Sequence, residues 1–196
     1  MAEDHDPTGL GQIQQQELLR LAREAIAAYL ETGCIPYHET DDPALTQTAG
    51  AFVTLKKRYP AQAQRESFSL RGCIGYIRSD RPLYQVVQNM AVAAATADPR
   101  LPPVMAEELN KIQVEISVLS ELQQVLDLDQ IEIGRHGLVL IHEKRRGVLL
   151  PQVPVERGWS RQDFLEHLCL KAGLPANYWT DERSIFYSFT TISFEE

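Results

Sequence analysis

The sequence predicts an α+β fold, a mostly antiparallel sheet flanked by helices, with room for a smaller second subdomain. Short runs of apolar–polar alternation separated by turn residues read as half-buried strands, and hairpin signals outnumber strand–helix–strand signals. Three other segments repeat their apolar residues at helical spacing. A chain of 196 residues, 44% apolar and 23% charged, suffices for one full domain or one domain with an added lobe.

Residues 1–12 are acidic and polar and read as a flexible tail, leaving 13–196 as one domain. From Ile13 to Glu31 the positions Leu18, Ala22, Ala25, Ile26, Tyr29 and Leu30 form a helical stripe, and Gly33 supplies a stop. "CIPYHETDDPAL" follows as a loop. "GAFVTLKK" (50–57) and "SFSLRGCIGYI" (67–77) are strands of a hairpin joined by a long polar connection. Ser79 or Asp80 then caps a helix whose inner face is Leu83, Val86, Val87, Met90, Ala91 and Ala94, stopped by the prolines of "ADPRLPP".

In "NKIQVEISVLS", Ile112, Val114, Ile116 and Val118 alternate with Gln113, Glu115 and Ser117, so one face is buried. Apolar runs at 138–141 and 148–150 flank "HEKRRG" and predict a hairpin with a basic tip, Lys144, Arg145 and Arg146. Ser160 with Asp163 forms a capping box for a helix that buries Phe164, Leu165, Leu168 and Ala172. "SIFYSFTTISF" (184–194) is expected to close the chain as one strand.

The net charge of −8 argues against a nucleic-acid coat, which needs excess basic side chains. Three widely spaced cysteines without a CxxC fit a reducing cytoplasm and argue against a disulfide framework or a cysteine-rich zinc site. No apolar run approaches a membrane span, and no metal ligand set or cofactor motif (GxGxxG, Walker loop, HExxH, GxSxG) occurs.

The stretch "FSLRGCIGYIRSD" carries the chemistry of interest. Read as a regular strand, Leu70, Gly72, Ile74 and Tyr76 share the core face; Ser69, Arg71, Cys73 and Gly75 share the other. A guanidinium beside a partly exposed thiol favours the reactive thiolate, and Gly72 and Gly75 let a backbone or ligand approach closely. Against this, free cysteines are among the most buried residues, and a glycine in a strand also marks bulges that reverse the parity. A thiol enzyme also calls for a base. His136, between two glycines at the mouth of a strand, is the first candidate, and His142 the second. Gln152, an amide between Pro151 and Pro154 after an apolar run, is a candidate hydrogen-bonding group for backbone or ligand.

"LRGCIG" (70–75) resembles the hallmark of the AMMECR-domain family, in its AmmeMemoRadiSam system protein A-like branch. "GAFVTL" (50–55), "DPRLPPV" (98–104), "VEISVLS" (114–120), "GRHGLVL" (134–140), "RRGVLLPQV" (145–153) and "GWSRQDFLEHLCLKAGL" (158–174) resemble family blocks in the family's order. The resemblance implies two unequal, packed subdomains, the larger built on an antiparallel sheet flanked by helices. It implies no particular reaction. Its motif residues fall on Arg71, Gly72, Cys73 and Gly75, with His136 and Gln152 in matching blocks, and the 56–67 connection is longer than in many relatives. Two functions are expected from it. One is an enzyme or enzyme subunit using the Cys73 thiolate, with His136 as base and Arg71 holding a small anionic substrate. The other is a non-catalytic module that binds a ligand or works with Memo-like and radical-SAM partner proteins.

Overall fold

The structure, a computed structural model, describes residues 9–62 and 65–196, with the backbone alone described over 59–67. In chain order the elements are α1 (Gln12–Thr32), α2 (Pro43–Thr46), β1 (Ala51–Gln62), β2 (Arg65–Tyr76), α3 (Leu83–Thr96), β3 (Ile112–Leu119), β4 (Gln123–Val125), β5 (Gly137–His142), β6 (Arg145–Leu149), α4 (Gln152–Arg157), α5 (Arg161–Lys171), β7 (Ser184–Phe189) and β8 (Thr191–Glu195). The α+β class stands, with two four-stranded sheets, ordered β2-β1-β3-β8 and β4-β7-β5-β6. The chain divides into two compact units: one runs up to Leu119 and takes in Ile192–Glu196, and the smaller is Ser120–Thr191. Most of the expected N-terminal tail lies outside the described residues, but Leu10 is buried in the first unit's core.

In the first unit, α1 and α3 supply the helical side of the core. Leu18, Ala22 and Ile26 of α1 and the expected inner face of α3 are buried together with Val53, Leu55, Val114, Ile116 and Val118 of the sheet. Gly33 ends α1 in the left-handed region (φ 74°) and returns its N–H to the Tyr29 carbonyl, an arrangement only glycine adopts without strain. The loop after it holds a short helix that the pattern missed, α2, capped by the Asp42 carboxylate accepting from Ala44 N–H at 2.9 Å. Helix α3 starts later than expected. Pro82 is its N-cap, because Leu83 N–H is drawn to the Gln47 carbonyl and the Ser79 hydroxyl accepts from Arg81 N–H instead of capping.

The polar connection between β1 and β2 is itself strand. Pairing continues through Tyr59↔Ser67 and Gln62↔Arg65, well past Lys57, where β3 stops pairing with β1. Pairing of two strands by their backbones alone needs no apolar alternation, so the pattern was silent there. The register shift between Tyr59 and Gln62 brackets Pro60, which has no N–H for a ladder.

In the second unit, β5 and β6 form the expected hairpin, but its turn is only Glu143 (φ 54°) and Lys144; Arg145 and Arg146 belong to β6, opposite His142 and Ile141. The Ser160–Asp163 capping box starts α5, which buries Phe164, Leu165, Leu168 and Cys169. The final strand is two. β7 pairs with β4 and β5, β8 joins the other sheet, and the break falls at Thr190, whose N–H and carbonyl bond to the Ser120 hydroxyl and N–H. Among the described residues no helix is long and apolar enough to cross a membrane.

Candidate functional site

The motif strand β2 lies at the edge of the first sheet, and a single irregularity decides where its side chains go. Between Leu55 and Lys56 of β1 the register shifts, so that Gly72 faces Leu55 while Leu70 faces Lys56, and Arg71 is the extra residue of a β-bulge. From Gly72 the alternation holds, with Ile74 packed on the core and Cys73 on the opposite face beside Thr54, but Tyr76, also expected in the core, is 55% exposed at the strand's end. Before the bulge the alternation does not hold. Leu70, expected in the core, is 46% exposed, because the bulge turns the strand by one residue.

The two glycines make room for the protein itself. A Cβ on Gly72 would stand 2.0 Å from the Ala94 carbonyl oxygen, so its absence lets α3 pack directly on β2. A Cβ on Gly75 would stand 2.3 Å from the Phe52 ring. Neither space is left for a ligand.

The edge of β2 is covered by the segment Asp98–Val104, and two arginines make the attachment. Arg71, 10% exposed, donates four hydrogen bonds: to the carbonyls of Pro102 (2.7 Å) and Pro103 (3.0 Å) and to both oxygens of Glu108 (3.3 and 2.8 Å). Of the five N–H groups of a guanidinium this leaves one. Glu108 also takes Lys57 at 2.6 Å, and the Arg71 bond, followed by that of Lys57, brings its pKa down to about 2.

Arg100 is placed differently. Its Nε and Nη2 hold Asp98 at 2.9 and 2.7 Å, and Nη2 also donates to the Cys73 carbonyl at 3.2 Å. Asp98, with a side chain only 2% exposed, accepts Cys73 N–H at 2.9 Å, so the pair clips both sides of the Cys73 peptide. The Arg100 hydrogen bond, then the N–H groups of Arg100 and Cys73, overcome burial and hold Asp98 far below the usual carboxylate range. Arg100 in turn is raised above its ordinary value, chiefly by its hydrogen bond to Asp98. Thr54 completes the surroundings by donating its hydroxyl to Cys73 Sγ at 3.3 Å. Cys73 thus sits half-buried, its sulfur accepting from a hydroxyl and its carbonyl from a 53%-exposed guanidinium.

His136 and Gln152 belong to the second unit. His136 Nδ1 accepts Glu132 N–H at 3.1 Å, which puts the proton of the neutral ring on Nε2, so Nε2 is a donor and not a base. His142 is buried, with Nδ1 on the Ser184 hydroxyl at 3.2 Å and its ring edge-on to Tyr178. Gln152 opens α4, half-buried. Asp98, Arg100, Thr54 and Glu108 were not singled out from the sequence. "DPR" announces a turn in which Asp98 accepts Arg100 N–H at 3.0 Å, a legible local signal; the approach of Thr54 depends on the strand register, which is not local.

Comparison with known proteins places this arrangement. The family model of AMMECR1 matches residues 19–194. The chain belongs to the AMMECR1 family. Protein MK0488 of Methanopyrus kandleri is 43% identical over 187 residues, covering 91% of this chain and 86% of the relative. Protein PH0010 of Pyrococcus horikoshii is 42% identical over 185 residues, covering 91% and 88%. The crystal structure of uncharacterized protein PH0010 superimposes with a TM-score of 0.84 at 41% identity, over 93% of this chain and 91% of that one. In this AMMECR1-family chain, no group of three or more His, Cys, Asp or Glu side chains among the described residues is placed to hold a metal ion.

Proposed function

We propose that the protein is an enzyme or enzyme subunit in which Cys73 acts as a thiolate nucleophile on a small anionic substrate. The observation that carries this is the Thr54 hydroxyl donating to the cysteine sulfur at 3.3 Å, with the Arg100 guanidinium held next to it on the Cys73 carbonyl at 3.2 Å. Hydrogen-bond donors and positive charge at sulfur stabilise the charged, nucleophilic form. Arg100 takes the role first expected of Arg71, since its side chain is half exposed and open to a substrate's anionic group while Arg71 is spent on Glu108 and two carbonyls. The reading requires no histidine base, because a thiolate attacks directly. All three cysteines are free, which fits a reducing, cytoplasmic setting.

The three thiols calibrate the test. Cys34 is exposed, Cys169 is buried and its thiol is pushed up in pKa by burial, and Cys73 lies between them in exposure. With iodoacetamide at neutral pH, Cys73 is expected to alkylate faster than Cys34 despite being less exposed, and Cys169 slowest. In Arg100→Leu the rate of Cys73 relative to Cys34 should fall by about tenfold, the order of one charged hydrogen bond. A wild-type Cys73 that reacts no faster than Cys34 sinks the proposal.

A second reading, a binding module working with Memo-like and radical-SAM proteins, draws on Phe68 and Leu70. These are 41% and 46% exposed and lie opposite Arg58 and Lys56 in the arm, where a partner protein would cover them. Capture of such partners by wild type and Cys73→Ser alike, and not by Phe68→Ser/Leu70→Ser, favours that reading.

A further inference from the structure

Beyond the end of β2, where the chain turns into α3, the first unit carries an open depression of about 680 Å³. Val86 and Met90 of α3, 1% and 4% exposed, give it apolar surface, and Tyr76, 55% exposed, presents its ring beside them. Arg78, Ser79, Asp80 and Arg81 of the connecting turn supply the polar side, with Asn89 of α3. The volume is within the range of small-molecule sites, roughly 300–1,000 Å³. Tyr76 lies on the Gly72–Ile74 face of β2, opposite to Cys73, so the depression is separate from the thiol.

Its charges are what call for a ligand. Several arginines elsewhere are committed to carboxylates: Arg20 to Glu17 and Glu24, Arg71 to Glu108, Arg100 to Asp98, Arg183 to Asp181 and Glu143. Arg78 and Arg81 are not, although Asp80 stands between them in sequence, and neither guanidinium has a side-chain partner among the described residues. Two unspent guanidinium forks at the rim of a partly apolar hollow match a phosphate, which accepts several N–H bonds at once. Asn89 gives its amide N–H to the Gln85 carbonyl at 2.6 Å, leaving the side-chain oxygen as an acceptor, and Asp80 is a second acceptor. The body of the ligand therefore carries hydrogen-bond donors as well as a flat or apolar surface for Tyr76, Val86 and Met90.

We propose that this depression binds a phosphorylated metabolite with a planar, donor-bearing body, of the class of nucleoside monophosphates. Arg78 and Arg81 hold the phosphate, Tyr76 stacks on the ring, and Asp80 and Asn89 accept from its hydroxyl or amino groups. Isothermal titration of the full chain at low salt with AMP, adenosine and inorganic phosphate tests this. AMP is expected to bind in the sub-millimolar range and each fragment at least about tenfold more weakly, since each makes only part of the contacts. Arg78→Gln/Arg81→Gln should weaken AMP by about tenfold or more, and Tyr76→Leu by less, with unchanged melting temperature and unchanged alkylation of Cys73. The proposal is overturned if AMP binds no more tightly than inorganic phosphate, if AMP does not bind wild type, or if the folded double variant binds AMP as wild type does.

Discussion

Arg71 and Arg100 both join β2 to the segment that covers its edge, and each grips a carboxylate, yet one guanidinium is 10% exposed and the other 53%. Arg71 is the extra residue of a bulge, so its side chain leaves the regular alternation and runs among the carbonyls of Pro102 and Pro103. Arg100 sits on the covering segment itself and reaches back to the Cys73 carbonyl. The same residue type is thus a clamp spent within the protein where it is buried, and stays half open to solvent where it lies on the covering segment. The arginine that bonds the Cys73 carbonyl is not the one two residues away but one twenty-seven residues away.

Replacing Arg71 by Leu should show the largest effect, because it strands the carbonyls of Pro102 and Pro103 and leaves Glu108 with only Lys57 and the Met105 N–H. Breaking a largely buried ion pair from one side costs about 3 kcal/mol or more. Urea denaturation is expected to show that loss, while the ratio of Cys73 to Cys34 alkylation in the folded fraction stays at the wild-type value. A stable variant with slowed alkylation would merge the two arginines into one site and break the distinction.

Much of the fold was legible because its signals are local. The α1 stripe with its Gly33 stop, the alternation of β3 and the Ser160 capping box each depend on residues within one or two turns of one another. The bulge at Arg71 does not, since it is a mismatch of count between two strands, and neither strand alone contains it. The division of 184–194 into β7 and β8 was hidden for the same reason: β-branched and aromatic residues fit both sheets, and Thr190 is marked only by its partner Ser120. At the site, Cys73 was conspicuous between two glycines, but both glycines proved to admit α3 and Phe52, and Asp98 and Thr54 reach the cysteine only through tertiary folding.

Acid sharpens the contrast by a smaller amount. Glu108 has a folded pKa lowered from 4.5 to about 2, so it contributes stability that is complete above about pH 5 and is lost as pH falls towards 2. Asp98 shifts in the same direction. Wild type should therefore lose stability steeply between pH 5 and about 2.5. Arg71→Leu, with most of the Glu108 contribution already gone, should lose less over the same interval, giving a flatter slope of unfolding free energy against pH. Equal slopes in the two proteins would mean that Arg71 does not hold Glu108 ionised.

The smallest effect belongs to Thr54, and it isolates the sulfur from everything else. Valine has nearly the shape of threonine, and Thr54 keeps its place in β1 through backbone pairing with Cys73 and Glu115, so Thr54→Val should leave stability within about 0.5 kcal/mol. What it removes is the hydroxyl donor 3.3 Å from Cys73 Sγ. One neutral hydrogen bond to a half-buried acceptor is worth about 0.5–1 kcal/mol, which predicts a two- to fivefold slower alkylation of Cys73 with Cys34 unchanged. That loss is smaller than the one expected for Arg100→Leu, because the arginine brings charge as well as a donor. If Thr54→Val slows Cys73 more than Arg100→Leu does, the sulfur answers to the hydroxyl and not to the guanidinium, and the anion-binding half of the proposed site has no chemical link to the thiol.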